Sequence, residues 1–418
     1  MKITTLVSEP KQQVTNLNHS ILTRFLAEEW GLIDYAAAAE SGTDAPQLII
    51  HEYSDKASSY DFWSKFINSW GGPSFLLHIS GEALNPPAWT NPANYKLSFA
   101  KDDFVGRHKN LQFHEALLSP FIPSCIASNS TEDESSLYQS VHNGEVVKTA
   151  YKLRTHFLET AKDRFCNFVY NNHSHPQLSG TGTRQLLCEL LSSYKKVDCP
   201  GKSMHNTDEL HTMEKMEAED KQWQSQHIGD KEFPVHQRFL DKLRYLSRYK
   251  FTIAGENIAS PYYISEKIIH PLIVGSIPIY IGCKEINELV NPKSFINCND
   301  YQSFDEVVEL VRQIDNDPIR YQEFLNQPPF LDKSLVHNYS RDRLRQRMDN
   351  IREEMIKHQQ QCNTNRPANK PYQSHSWLSR RLAQFATKPE AVIWLGCWTL
   401  YRGLYKWVRK FVRGSSNS

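Results

Sequence analysis

Residues 255–267, GENIASPYYISEK, crowd a carboxamide, two carboxylates, an ammonium and two phenols into one short polar stretch between apolar runs. Lys267 offers a cation for phosphates, Glu266 an acceptor for sugar hydroxyls, and Tyr263 a ring and a hydroxyl. Tyr263, Glu266 and Lys267 stand at i, i+3 and i+4, the spacing that puts side chains on one face of a helix. By composition this is a nucleotide-sugar site.

Such a site needs elements that aim it. Residues 249–254 mix aromatic and β-branched side chains as a strand does, and Gly255-Glu256-Asn257 follows with turn chemistry. Ser260-Pro261 has the form of an N-cap and first helical residue, predicting a helix from position 261 that packs through Ile268, Ile269, Leu272 and Ile273. Pro271 predicts a kink or an early end, because a proline removes one helical hydrogen bond and crowds the carbonyl four residues back. Gly275 would stop the helix, and residues 277–282, IPIYIG, are a short buried strand. The unit is βαβ. In open α/β sheets ligands bind beyond the carboxyl ends of strands, where helix N-termini offer amides to phosphates. A second strand, 75–79, also ends in a carboxylate, in Ser80-Gly81-Glu82.

E-N at 256–257, Y-x-x-E-K at 263–267, G-S-I-P-I-Y-I-G at 275–282 and N-P-K-S-F at 291–295 resemble the donor-binding segment of the α-1,3/1,4-fucosyltransferases, particularly the bacterial ones. Gly255 replaces the family's usual aromatic and Ile258 its usual serine. The resemblance implies an α/β fold of the GT-B type, two Rossmann-like domains facing across a cleft, and inverting transfer of L-fucose from GDP-fucose to a glycan hydroxyl, O3 of GlcNAc or glucose. It divides the chain into an acceptor-side domain, 1–160, a GDP-fucose-binding domain, 161–350, and a linker with tail, 351–418. Gly81-Glu82 matches the first two residues of the family's G-E-N, with Ala83 in place of its asparagine, making Glu82 the implied general base; the alternative is a loop carboxylate holding a turn. Arg184, at the start of an expected helix over 184–194 and beside S-S-Y-K-K-V, aligns with a phosphate-contacting arginine. By itself an arginine at a helix start is more often solvated. Asn257, Tyr263, Glu266 and Lys267 are the implied donor contacts. No cofactor is required by this reading, and stimulation by a divalent cation (Mn or Mg) is left open. Two rivals stand beside it: a GT-B enzyme using another nucleotide sugar, and an inactive relative binding a membrane surface.

The totals are compatible. A chain of 418 residues, 39% hydrophobic and 23% charged, has room for two globular domains, and a net charge of +1 excludes a broadly basic nucleic-acid binder. Eight cysteines without a C-x-x-C pair, and an opening without an apolar export core, predict reduced thiols in a cytoplasm. Charge is segregated at one place. Residues 377–413 carry eight basic side chains against a single acid, Glu390, with Trp394, Trp398, Tyr401, Tyr405 and Phe411 at helical spacing. That pattern suits an anionic membrane interface, giving a peripheral, membrane-associated protein; a helix docked on the catalytic body or an oligomer contact are the alternatives. The remaining expected elements are a strand at 47–53 and helices over 21–39, 60–70, 151–162, 239–249, 303–315 and 319–325. Residues 125–150 and 199–233 read as surface insertions, the latter as a flap or a solvated loop. Asp315-Asn316-Asp317 spells D-x-D but follows an amphipathic helix, so it reads as a helix-end turn rather than a metal site.

Overall fold

The structure, a computed structural model, describes residues 3–8, 20–34, 47–52, 74–79, 94–98, 100–101, 104–105, 108–125, 141–142, 144–171, 179–209, 237–331 and 336–364. In chain order the first half holds β1 (Ile3–Ser8), α1 (Ile21–Trp30), β2 (Leu32–Asp34), β3 (Leu48–Glu52), β4 (Phe75–Ile79), β5 (Tyr95–Ser98), β6 (Phe104–Val105), β7 (His108–Gln112) and α2 (Gly144–Glu159). The second holds β8 (Arg164–Asn167), α3 (Ser179–Tyr194), β9 (Val197–Asp198), α4 (Gln237–Leu246), β10 (Tyr249–Gly255), α5 (Glu266–Val274), β11 (Ile277–Ile281), β12 (Ile296–Asn297), α6 (Phe304–Asn316), α7 (Pro318–Leu325) and α8 (Arg341–Thr364).

Two sheets result. One runs β2-β1-β3-β4-β5-β7-β6, parallel except for the β6–β7 pair, and the other runs β12-β11-β10-β8-β9, all parallel. Numbered within its own sheet, each shares the doubly wound order 2-1-3-4-5, which reverses between the first and third strands. Parallel strands covered on both faces must be apolar throughout, and β4 and β10 are buried along nearly their whole length.

Local chemistry sets the element ends. Ser20 and Thr23 cap α1 reciprocally, and Gly31, at φ 64°, ends it in the left-handed region, so the helix stops at Trp30 instead of reaching 39. The chain there turns straight into β2. Asp317 accepts the amides of Ile319 and Arg320 at 3.0 Å each and caps α7 ahead of Pro318, while Asp315 pairs with Lys195 (3.1 Å) and Lys250 (2.7 Å). The D-x-D run is therefore structural, as its position implied. The insertion expected over 125–150 is helical from Gly144 onward, as the start of α2. Residues 60–70 and the tail at 377–413 lie outside the described residues, as does all of the 199–233 loop beyond Glu209.

One core joins the sheets. Leu26, Leu48, Leu77 and Leu97 of the first half share an apolar cluster with Leu240, Ile268, Ile269 and Leu272 of the second. The helix α8 returns to this same cluster through Leu344, Met348, Ile351 and Met355, spaced four, three and four apart, and His358 meets the Phe75 ring at 5.8 Å. Residues 351–364, expected as the beginning of a linker, thus continue a helix whose buried stripe packs on the first sheet. A smaller cluster, with Leu187, Leu191, Val307, Val311 and Ile314, lies between the second sheet and α3 and α6.

Lys162 ties three helix ends together. Its ammonium donates to the carbonyls of Phe157 (2.9 Å), Ser247 (2.6 Å) and Val274 (2.9 Å), at the C-terminal ends of α2, α4 and α5. Burial pushes its pKa down to about 8, which leaves it protonated at neutral pH. Each helix end presents carbonyls without intrahelical donors, and a cation there complements the dipole. Lys162→Met, which keeps the stem and removes three charged hydrogen bonds, is expected to cost about 3 kcal/mol in urea-induced unfolding.

Candidate active site

The second sheet reverses order between β8 and β10, and beyond the carboxyl ends of these two strands the polar side chains gather. Tyr170, three residues past β8, is buried. Its hydroxyl accepts the Gly255 amide at 2.7 Å and lies 2.9 Å from the Ile253 carbonyl and 3.1 Å from that of Gly255. The Arg184 guanidinium rests over the Tyr170 ring at 4.1 Å and donates to Asn257 Oδ1 at 3.0 Å and to the Gly255 carbonyl at 3.4 Å. Arg184 is only 1% exposed, and burial lowers its pKa. Gly255 is required by this packing: a Cβ there would stand 2.9 Å from Arg184 Cβ and 3.2 Å from its Cδ.

The next residue carries the second half of the site. Glu256 is buried, and its carboxylate accepts the Ser265 amide (2.8 Å) and the Ser265 hydroxyl (2.9 and 2.7 Å to its two oxygens). Ser265 caps α5, its Oγ 3.3 Å from the Lys267 amide and 3.1 Å from Lys267 Nζ. The Lys267 ammonium lies 3.5 Å from Glu256 and 3.6 Å from Glu266. Burial raises the Glu256 carboxyl. Glu266 behaves oppositely: burial works against its ionisation, but the nearby Lys267 and Lys242 ammonium groups outweigh it and hold the carboxyl down at about 2. An ionised carboxylate and an ammonium are thus presented side by side in the first turn of a helix, beside a guanidinium at a strand end.

Four expected site residues fall into this arrangement: Arg184 against Asn257, and Glu266 against Lys267. Arg184 sits well inside α3, which begins at Ser179, so it is a buried helix residue rather than the helix's opening. Tyr263 does not share a helix face with Glu266 and Lys267. It is 1% exposed, packed in the core with its carbonyl 3.4 Å from the Tyr280 hydroxyl. The reason is that α5 begins at Glu266 and not at 261, so the i, i+3, i+4 face does not exist. Tyr262 takes φ 58°, which breaks any helix through it, and Glu256 selects Ser265 as the cap. Nor does α5 end at Pro271; it runs on to Val274 and closes on Gly275 at φ 69°. With so late a start, proline removes a single hydrogen bond, to the first-turn carbonyl of Lys267. Glu82 lies outside the described residues. Sequence reasoning gave Tyr170, Ser265 and Lys242 no role, although S-E-K at 265–267 is itself a cap followed by a charged first turn.

A family model for glycosyltransferase family 10 (fucosyltransferase), C-terminal part, matches residues 160–370, half of the chain and all of the geometry above. The chain belongs to glycosyltransferase family 10. It is 29% identical over 190 residues to a putative fucosyltransferase of Acanthamoeba polyphaga mimivirus, covering 45% of this chain and 27% of that protein. It is 43% identical over 102 residues to α-(1,3)-fucosyltransferase B of Drosophila melanogaster, 23% of each, and 35% identical over 89 residues to the α-(1,3)-fucosyltransferase FucT of Helicobacter pylori, 21% and 19% respectively. The matched region thus spans about a quarter or less of these relatives' lengths. Crystal structures of an α1,3-fucosyltransferase are similar over nearly the whole chain: TM-score 0.51 at 17% identity, covering 89% of this chain and 93% of that one, and TM-score 0.53 at 17% identity, 85% and 90%, for the form with GDP-fucose. The likeness is one of fold, and the fold is GT-B.

For this family 10 chain the Gly255–Arg184 contact gives a direct test. On the reading that this site takes a nucleoside diphosphate, Gly255→Ala is expected to displace Arg184 from Asn257 and weaken GDP binding about tenfold, while circular dichroism stays native; the loss equals one charge-assisted hydrogen bond. Unchanged GDP affinity in the titration would mean that Arg184 is not part of the site.

Proposed function

We propose that the chain transfers L-fucose from GDP-fucose to a glycan hydroxyl, O3 of a GlcNAc or glucose residue, with inversion at the anomeric carbon. The observation that carries the reading is the convergence, at one strand-order reversal in a family 10 chain, of Arg184 and Asn257 with the Glu266–Lys267 pair. A guanidinium and an ammonium suit a departing diphosphate, since both bind phosphate oxygens and lower the energy of the charge that develops as the sugar–phosphate bond breaks. The ionised Glu266 can accept hydrogen bonds from sugar hydroxyls, and Asn257, held by Arg184, positions the donor. Tyr263 supports this group from beneath as a core residue.

On the acceptor side Glu82 takes the proton of the attacking hydroxyl as its oxygen bonds to the anomeric carbon. Support for this role is the Gly81-Glu82 match and its place just after β4, in the other half of the chain. Glu82→Gln is expected to lower the transfer rate by about 10²–10⁴, with GDP-fucose affinity retained. Near-normal transfer would remove Glu82 from the mechanism. The reaction in this form needs no cofactor, and comparing rates with EDTA against Mn or Mg decides whether a divalent ion stimulates it.

The tail at 377–413 belongs to the same proposal as a peripheral membrane anchor. Among the described residues no helix is long and apolar enough to cross a membrane. Removing 377–418 is expected to abolish cosedimentation with anionic liposomes and to leave transfer to a soluble acceptor intact; a protein that no longer folds would identify the tail as a docked helix instead.

A further inference from the structure

The turn that delivers the chain into α5 is held from the first half of the protein. Tyr262 has φ 58°, a left-handed conformation that a bulky residue adopts only when its surroundings impose it. Its amide points to Glu285 Oε2 at 3.4 Å. Its carbonyl receives His114 Nε2 at 3.0 Å, and its ring lies 5.1 Å from the Lys101 ammonium, which is also 3.4 Å from the Tyr262 hydroxyl and 3.1 Å from Glu288. Lys101 follows β5 and His114 follows β7, so both reach out from carboxyl ends of the first sheet.

The His114 contact is directional. Burial pushes its pKa down to about 4, so the ring is neutral at pH 7 and carries one N–H. The Tyr339 hydroxyl accepts the His114 amide at 2.6 Å and is left to donate to Nδ1 at 3.2 Å. The proton therefore sits on Nε2 and is given to the Tyr262 carbonyl. Tyr339 in turn packs on Phe113 at 5.6 Å and under the Arg347 guanidinium at 5.2 Å, on α8. A continuous line of contacts runs from α8 through Tyr339 and His114 to Tyr262, and the next residues are buried Tyr263 and Ile264, the cap Ser265, and then Glu266 and Lys267.

We infer that His114 and Lys101 are positioning residues for donor binding: from the first half of the chain they hold the Tyr262 turn in its left-handed form and so set where Glu266 and Lys267 stand. The inference rests on the donor reading given under Proposed function. Neither residue touches the donor in this account. They act through Tyr262, and seating of the first sheet against the second becomes a condition for tight nucleotide binding.

The test is GDP titration by calorimetry on the full chain, with steady-state KM for GDP-fucose and for an N-acetyllactosamine acceptor. His114→Leu is expected to raise the Kd for GDP about tenfold, the effect of losing one hydrogen bond to a buried carbonyl. His114→Gln, whose side-chain N–H reaches the same carbonyl, is expected to recover most of that loss. Lys101→Ala changes an exposed side chain that cannot decide folding, and it is expected to raise the Kd about two- to fivefold. The donor KM should move with these values and the acceptor KM should not. GDP affinity unchanged in Lys101→Ala and His114→Leu, no recovery in His114→Gln, or equal changes in both KM values would each overturn the inference; should His114→Leu not fold, Lys101→Ala decides alone. Lys267→Ala separates the two claims. If it binds GDP normally the donor reading itself fails, and if it loses binding while the Lys101 and His114 variants do not, only the positioning role fails.

Discussion

A carboxylate taken out of water at the end of a strand governs the geometry at the carboxyl end of the second sheet. Glu256 is 1% exposed, and leaving its charge without partners there would be prohibitive. The structure compensates by bringing the start of α5 to it: the Ser265 amide and hydroxyl bind its oxygens, and Lys267 comes within 3.5 Å. The helix N-terminus adds its own favourable field for a negative charge. Because the hydrogen bonds to Ser265 satisfy Glu256 from one direction, α5 can dock in one place only. Glu266 and Lys267, the residues adjacent to that anchor, inherit its precision.

The same helix faces two ways. Its polar first turn belongs to the end of the second sheet, whereas Ile268, Ile269, Leu272, Ile273 and Val274 enter the apolar cluster that the first sheet shares. The strand order 2-1-3-4-5 recurs in both halves, so each has a reversal point at which a ligand can be gripped, and α5 lies where the halves meet. In this arrangement the rigidity of the Glu266–Lys267 turn and the cohesion of the two sheets are consequences of one packing surface.

Much of this was legible in the sequence, and what was not has a physical cause. The strand at 75–79 emerged with the bounds its apolar run implied, β10 and β11 shifted by no more than a residue, and Gly275 ended α5 as a glycine beyond a helix should. The helix start was misplaced because Ser260-Pro261 and Ser265-Glu266 are both acceptable caps by local rules. The deciding partner, Glu256, is nine residues away from Ser265, and whether its carboxylate turns inward is a tertiary outcome. The face shared by Tyr263, Glu266 and Lys267 fails for the same reason, since it is defined from the wrong first residue. Arg184 is buried inside α3 instead of opening a helix at the surface; its burial depends on Tyr170 and on the missing side chain at Gly255, and no periodicity reports either. In this chain the absent side chain at 255 leaves the space that the Arg184 stem occupies. The stripe Leu344, Met348, Ile351 and Met355 was visible at helical spacing, but its highly charged neighbours in RDRLRQRMDNIREEM disguised it.

A helix of nine residues could not persist alone, and α5 also contains a proline. It survives because each end is matched to the charge it meets. At the N-terminus stand Glu256 and the ionised Glu266; at the C-terminus the Lys162 ammonium binds the Val274 carbonyl while also closing α2 and α4. Pro271, the sixth residue of the helix, leaves the Lys267 carbonyl without its intrahelical amide, and its own carbonyl accepts the amides of Gly275 and Ser276. An element clamped at both ends and buried along one side moves as a rigid piece. Glu266 and Lys267 therefore keep their places relative to the packed face of the helix, and a displacement of α5 as a whole carries both with it.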